Sequence, residues 1–236
     1  GIKNIDYYLS GKLSEATIDA QSQYTEKLVC IDGSAHCREE ATEANSLATI
    51  TVDRSSLGLA EDDIVYISGA NFFKITPELE LVWAKILKQQ PRSKLVIYPF
   101  NPNWSSHYPI NAFKQRIKNT FAEAGIEEDR LLILGTVPNF ADVKVRLSIA
   151  DVYLDSFPFS SINALIDPLE VGLPIAIRDG NSFRSLMGAA LMHALAIPDL
   201  VADSDDSYIQ LAVALGNNLA LRQQKSAEIK AKMLDN

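Results

Sequence analysis

Ser160, Ser161, Asn163 and Asp167 fall within eight residues of one another, in "YLDSFPFSSINALIDP" at 153–168. They follow the strand-like run Val152-Tyr153-Leu154 and open an apolar helical stretch. The first turn of a helix offers free backbone N–H groups and the positive end of the peptide dipole, a ready site for a phosphate. Asp167, one to two turns further on, is placed like the carboxylates that hold sugar hydroxyl pairs in nucleotide folds. The plainer roles are a capping hydroxyl for Ser160 or Ser161 and a solvated carboxylate before Pro168 for Asp167. Lys74 follows two phenylalanines and precedes a Thr-Pro helix start, where a cation can neutralise a diphosphate. Arg146, on "FADVKVRLSIA", is a second such cation. The plainer reading of both is a surface charge. His107 sits in a long aromatic loop, "NPNWSSHYP" (101–109), and is a possible site residue. His193 reads as a core histidine.

These positions make sense only if strands and helices deliver them to one edge. Apolar runs at 62–69, 93–100, 130–137, 151–156 and 174–179 read as five strands. Amphipathic stretches at 76–91, 110–126, 140–150, 161–172 and 182–196 read as the helices between them, with a long closing helix from about Ser207 to Lys232. Strands alternating with helices of this length mean β-α-β units. The fold class is therefore α/β, a Rossmann-like doubly wound parallel sheet, and ligands bind outside the carboxyl ends of its strands. Four post-strand loops meet there: 69–74, 101–109, 135–140 and 156–163.

Residues 1–57 behave differently. "IDYYLS" and "EKLVCID" read as short strands around a helical stretch, "SEATIDAQSQY", and residues 32–47 are polar and loop-like. The division is thus a connecting segment at 1–57 and a Rossmann-like domain at 58–236. Gly1 reads as a cloning remnant, which makes the chain a part of a larger protein.

Composition narrows the chemistry. The 236 residues are 47% hydrophobic and 22% charged, ordinary for a soluble globular chain. Net charge −8 and a pI near 4.9 argue against a broad nucleic-acid surface. No apolar run approaches the roughly 18 residues of a membrane helix, and no signal peptide is visible. Cys30 and Cys37 with His36 are an incomplete set for structural zinc; reduced thiols and a cytoplasmic location are the simpler reading. No metal or cofactor is expected, since "EDD" at 61–63 precedes a strand. Dinucleotide, P-loop and nucleophile-elbow motifs are all missing.

The stretch "DVYLDSFPFSSINALIDPLEVGLPIAI", with "FFKITPELELVWAKIL" and "RLLILGTVP", resembles the C-terminal catalytic half of glycosyltransferase family 41. That family holds the protein O-GlcNAc transferases and the bacterial adhesin N-glucosyltransferases. Residues 4–30 resemble the segment joining its two catalytic halves. The resemblance implies a GT-B architecture, two Rossmann-like domains with a UDP-sugar held by the C-terminal one. It implies that Lys74 contacts the diphosphate with Asn71 nearby. Val137-Pro138 would hold uracil through the backbone, and Asn163 and the backbone of Ser161 would face the phosphates. Asp167 would bind the ribose hydroxyls. The donor would be UDP-GlcNAc or UDP-glucose and the acceptor a protein, with the acceptor groove and catalytic machinery on an N-terminal half, and helical repeats further upstream. Transfer would be inverting and metal-independent. Two departures stand out. O-GlcNAc transferases carry His-Thr-Thr where this chain has Ile162-Asn163-Ala164, and a lysine and a histidine in the segment that reads "NFADV" here. A catalytically inactive binding domain of the same fold, or another GT-B enzyme such as an epimerase or a glycogen-synthase-like polymerase, are the alternatives.

Overall fold

Two short strands come first. β1 (Tyr7–Gly11) and β2 (Lys27–Ile31) pair in parallel as a ribbon of their own. The structure is a computed structural model that describes residues 3–15, 18–36, 47–100, 109–137 and 139–235. Between β1 and β2 the expected helix at 14–24 is, among the described residues, a single 3-10 turn at Ala20–Gln23. The reason is local. The Gln21 side-chain amide donates to the Glu26 carbonyl at 2.9 Å and accepts from the Leu28 N–H at 2.9 Å, which folds this segment back onto the start of β2.

The second sheet has six strands: β3 (Ile64–Ser68), β4 (Ser93–Ile97), β5 (Leu131–Ile133), β6 (Val152–Leu154), β7 (Ile175–Arg178) and β8 (Val201–Ala202). Their spatial order is β5-β4-β3-β6-β7-β8, with every neighbouring pair parallel. The central strands are apolar on both faces because helices cover both. Val65, Tyr66, Ile67, Leu95, Val96 and Ile97 are fully buried, and a large apolar side chain so buried contributes roughly 1.5–3 kcal/mol.

Helices α1 (Pro77–Gln89) and α2 (Ile110–Glu123) follow β3 and β4 and pack on each other. α3 (Phe140–Leu147) and α4 (Asn163–Glu170) make the crossovers on either side of β6 and also pack together. The chain runs outward from β3 through β5 and returns to the other side of β3. Right-handed crossovers then place the two helix pairs on opposite faces. α5 (Phe183–Ala194) links β7 to β8, α6 (Asp205–Asn217) closes over α1, and α7 (Leu219–Asp235) packs on α4.

The element starts and stops are chemical. The Thr76 hydroxyl accepts from the Leu79 N–H at 3.4 Å and Pro77 stands at the first helical position of α1. Gly125 (φ 77°) ends α2 in the left-handed region, and its N–H and that of Ile126 bond back to Ala122 and Phe121. Polar atoms of buried aromatic residues tie the layers together. The Trp83 indole donates to the Tyr208 hydroxyl (3.3 Å), which donates to the Asp155 carbonyl (2.9 Å).

Three readings need correction here, and the first is His193, read as a core histidine but exposed in the last turn of α5. The closing helix is two helices, because Asn218 is extended and its side chain accepts from the Leu221 N–H at 3.0 Å, starting α7 afresh. The sheet has a sixth strand, β8, only two residues long and preceded by a 3-10 turn at Pro198–Leu200. Residues 47–57 are fastened to the second sheet's unit. The Asp142 carboxylate accepts from the Thr49 N–H (2.6 Å), the Thr49 hydroxyl (2.8 Å) and the Ile50 N–H (3.1 Å). Arg54 donates to the Asp151 carboxylate at 2.9 Å.

Candidate functional site

The winding reverses between β3 and β6, so the crevice that takes ligands in such sheets lies at their carboxyl ends. The loop after β3 is set by Asn71. Its side chain accepts from the Phe73 N–H at 3.2 Å and caps a 3-10 turn, Phe72–Lys74. The Phe72 N–H is anchored on the Pro99 carbonyl (3.0 Å), and its ring packs against Phe100 and Phe113. Ile75 is buried and the Thr76 cap follows at once. This leaves Lys74 half-buried and aimed across the crevice. Its ammonium donates to the Ser160 carbonyl at 3.0 Å and lies 4.4 Å from the Phe159 ring centroid. Burial lowers the Lys74 pKa, and the charge of Asp155 works against that shift.

The loop after β6 hangs on Asp155 and Ser160, both fully buried. The Ser160 hydroxyl donates to the Asp155 carboxylate at 2.5 Å and accepts from the Gly188 N–H at 2.9 Å. The Ser160 N–H donates to the Arg184 carbonyl at 3.0 Å. Every polar atom of Ser160 is thus used. Burial raises the Asp155 pKa to about 7, held from rising further by the Ser160 hydroxyl, the Lys74 charge and the Ser156 N–H. Gly188 is required at its position in α5: a Cβ would stand 2.6 Å from the Ser160 hydroxyl and 2.8 Å from the Asp155 carboxylate.

Ser160 therefore does not cap α4. Ser161 does, accepting from the Ala164 N–H at 3.3 Å. Asn163 is the exposed first residue of α4. Asp167 is buried at 8% exposure, not the solvated carboxylate of the plainer reading. Its charge raises the pKa of Tyr98 and, more weakly, of Tyr153, both pushed up mainly by burial. Arg146 acts on the same Tyr98 in the opposite sense, and donates to the Gly135 carbonyl in the loop after β5 at 2.6 Å. Tyr98 thus lies within electrostatic reach of both Asp167 and Arg146. Val137 is buried beside that loop; Pro138 and His107 lie outside the described residues, as does Cys37.

The structure brings Lys74 and Ser160 into direct contact and gathers Asp167 and Arg146 around Tyr98. Sequence reasoning missed Asp155, Tyr98, Phe159 and Arg184. The signal for Asp155 was an acidic residue directly after an apolar strand; the others gave none. A cavity of about 550 Å³ opens at the opposite, amino edge of the sheet, beside Asp151, Gly172, Arg222 and Lys230. The Arg222 guanidinium there is taken up by the Leu215 and Gly216 carbonyls and by Asp151.

A parallel six-stranded sheet of this order, with a crevice at its reversal, defines a Rossmann-like unit, the kind of domain from which GT-B glycosyltransferases are built. Many solved structures share the fold, and three serve as examples. They are the Thermobaculum terrenum O-GlcNAc transferase mutant K341M (TM-score 0.80, 21% identity, 98% of this chain and 41% of that one), the lipopolysaccharide glycosyltransferase WaaG (0.61, 11%, 95% and 57%), and the C-terminal domain of a group 1 family glycosyltransferase from Francisella tularensis (0.58, 11%, 77% and 89%). The profile described as Glycosyl transferase family 41 matches residues 10–236, and the chain belongs to that family. Curated relatives include probable UDP-N-acetylglucosamine–peptide N-acetylglucosaminyltransferases SPINDLY. The one from Oryza sativa subsp. japonica is 26% identical over 99% of this chain, and the one from Arabidopsis thaliana 26% over 93%. The UDP-N-acetylglucosamine–peptide N-acetylglucosaminyltransferase of Caenorhabditis elegans is 26% identical over 72%. The chain spans about a quarter of the length of the plant proteins (24% and 22%) and 14% of the nematode one.

Proposed function

We propose that this chain holds the nucleoside diphosphate sugar in an inverting glycosyl transfer, with UDP-GlcNAc or UDP-glucose as donor and a protein side chain as acceptor. One observation carries the reading. Lys74 places a partly desolvated ammonium at the reversal of the sheet, and its hydrogen bond is to a neutral carbonyl, not a carboxylate. Such a cation exchanges that carbonyl for a diphosphate with a gain in charge-assisted bonding. In the transfer the glycosidic bond to the diphosphate breaks and negative charge grows on the leaving UDP. Lys74, the start of α4 at Ser161 and Asn163, and Arg146 would stabilise that charge as preorganised groups, without a metal. Asp167 would hold the ribose hydroxyls, and the loop at Val137-Pro138 the uracil through its backbone. Residues 1–57 would belong to the connection with an N-terminal half that supplies the acceptor groove, so this chain alone would bind UDP and transfer no sugar.

A second reading, a binding domain without activity, is favoured by Ile162-Asn163-Ala164 standing where a His-Thr-Thr run is expected. Calorimetric titration of UDP, UDP-GlcNAc and UDP-glucose tests the first reading. Saturable heat with UDP is expected. No heat with any of the three overturns it.

A further inference from the structure

Phe159 is flanked by two cations. The Lys74 ammonium lies 4.4 Å from its ring centroid, and the guanidinium carbon of Arg184 lies 5.6 Å from the same centroid. Ser160 fixes both neighbours through its backbone, its carbonyl accepting from Lys74 and its N–H donating to the Arg184 carbonyl, each at 3.0 Å. Two positive charges, one from the turn after β3 and one from the first turn of α5, therefore converge on the loop after β6.

This concentration is unusual for a chain of net charge −8. Arg54, Arg92, Arg116, Arg130, Arg178 and Arg222 each meet an aspartate or glutamate. Among the described residues the arginines with no carboxylate within ion-pair distance are Arg146 and Arg184, and both stand at the carboxyl edge of the sheet. Arg184 is exposed and occupies the first turn of α5, where the helix's own dipole disfavours a cation. Its guanidinium makes no hydrogen bond among the described residues. The ring contact holds the head group by an attraction of roughly 0.5–2 kcal/mol and leaves its rigid fork of donors open. Two like charges held against one ring repel each other, and an anion that contacts both offsets that repulsion.

We propose that Arg184 is a second diphosphate-binding cation, acting with Lys74 around Phe159 on the pyrophosphate of a nucleoside diphosphate sugar. The inference rests on the reading that this crevice takes such a donor. Phe159 is then the spacer that sets the separation of the two cations, and the diphosphate is gripped from both wings of the sheet.

The test is titration of UDP and uridine into the 236-residue chain and its Arg184→Ala, Arg184→Lys and Lys74→Ala variants. Arg184→Ala is expected to weaken UDP by about tenfold, the effect of one charge-assisted hydrogen bond, with uridine unchanged; Arg184→Lys recovers part of the loss. If Lys74→Ala weakens UDP while Arg184→Ala titrates like the parent, the inference is wrong and the donor reading stands. Equal losses of UDP and uridine in Arg184→Ala also overturn it, since the residue then only shapes the loop. A parent chain that takes up no UDP removes the donor reading and this inference with it.

Discussion

The Lys74 ammonium and the Ser160 carbonyl, 86 residues apart in sequence, meet at 3.0 Å across the point where the sheet's winding reverses. The contact ties the two wings of the sheet together across the crevice. In the proposed donor reading this cation faces the diphosphate, so Lys74→Ala should weaken UDP binding and leave uridine nearly unaffected. Raising salt should narrow the difference between parent and variant, because a partly exposed ion pair is screened beyond a Debye length of about 8–10 Å. Lys74→Arg should restore only part of the affinity. Equal losses for UDP and uridine, measured by calorimetry, would show that Lys74 merely supports the loop through Ser160 and Phe159.

Asp167 offers a test at the other end of the proposed donor. Asp167→Ala should weaken UDP and uridine alike by roughly 1–3 kcal/mol, because the ribose is common to both ligands and the lost bond is charge-assisted. That shared loss distinguishes it from the Lys74 variant. The residue is buried next to Tyr98 and Tyr153, so thermal melting must be followed in parallel. A large fall in Tm with unchanged uridine affinity in the folded fraction would make Asp167 a structural carboxylate.

What could be read from the sequence was whatever is encoded locally. Thr76-Pro77 announces α1, Gly125 ends α2, and the apolar runs at β3 and β4 declare strands covered on both faces. The break at Asn218 was also encoded, in the Gly216-Asn217-Asn218 run that signals a turn, but the amphipathic pattern on either side of it outweighed three residues. β8 carries too few residues for any periodicity. Which of Ser160 and Ser161 caps α4 could not be read, because the role of Ser160 depends on Gly188, 28 residues away, and on Lys74. Tyr98 gathers Asp167 and Arg146 only once β4, α4 and α3 are assembled. Site residues defined by partners from several elements leave no pattern along one of them.

Gly188 carries a prediction whose sign decides it. At an ordinary helix interior, glycine to alanine stabilises by roughly 0.5–1 kcal/mol. In α5 the new methyl would stand 2.6 Å from the Ser160 hydroxyl and 2.8 Å from the Asp155 carboxylate. One of the two must move, and the hydrogen bond between them goes with it. Gly188→Ala should therefore destabilise, by roughly 1–3 kcal/mol as overpacked cores do, and should weaken UDP because Ser160 also holds Lys74. A rise in the denaturant midpoint would show that the Asp155–Ser160–Gly188 arrangement yields without loss.

The same arrangement makes stability respond to pH in a direction opposite to that of most carboxylates. Asp155 has its pKa raised by burial from 3.8 to about 7. Between these values the folded chain keeps the proton and the unfolded chain releases it, so unfolding liberates a proton and rising pH favours it. The stabilising contribution is complete below about 3.8 and is lost as pH rises through about 7, with a slope of about 1.4 kcal/mol per pH unit in between. The groups facing this carboxylate are the Ser160 hydroxyl, the Ser156 N–H and the Lys74 ammonium, with Tyr153 and Tyr208 within electrostatic reach. None of these is expected to titrate between pH 5 and 7.5: the tyrosines are raised, and Lys74, although lowered by burial, starts from 10.5. Asp155→Asn keeps the shape and removes the titration. Denaturant unfolding from pH 5 to 7.5 should show the parent losing stability relative to Asp155→Asn, with the gap growing toward neutral pH. Parallel curves for the two proteins would mean that Asp155 is ionised throughout, and that the charge of Lys74 outweighs burial at this site.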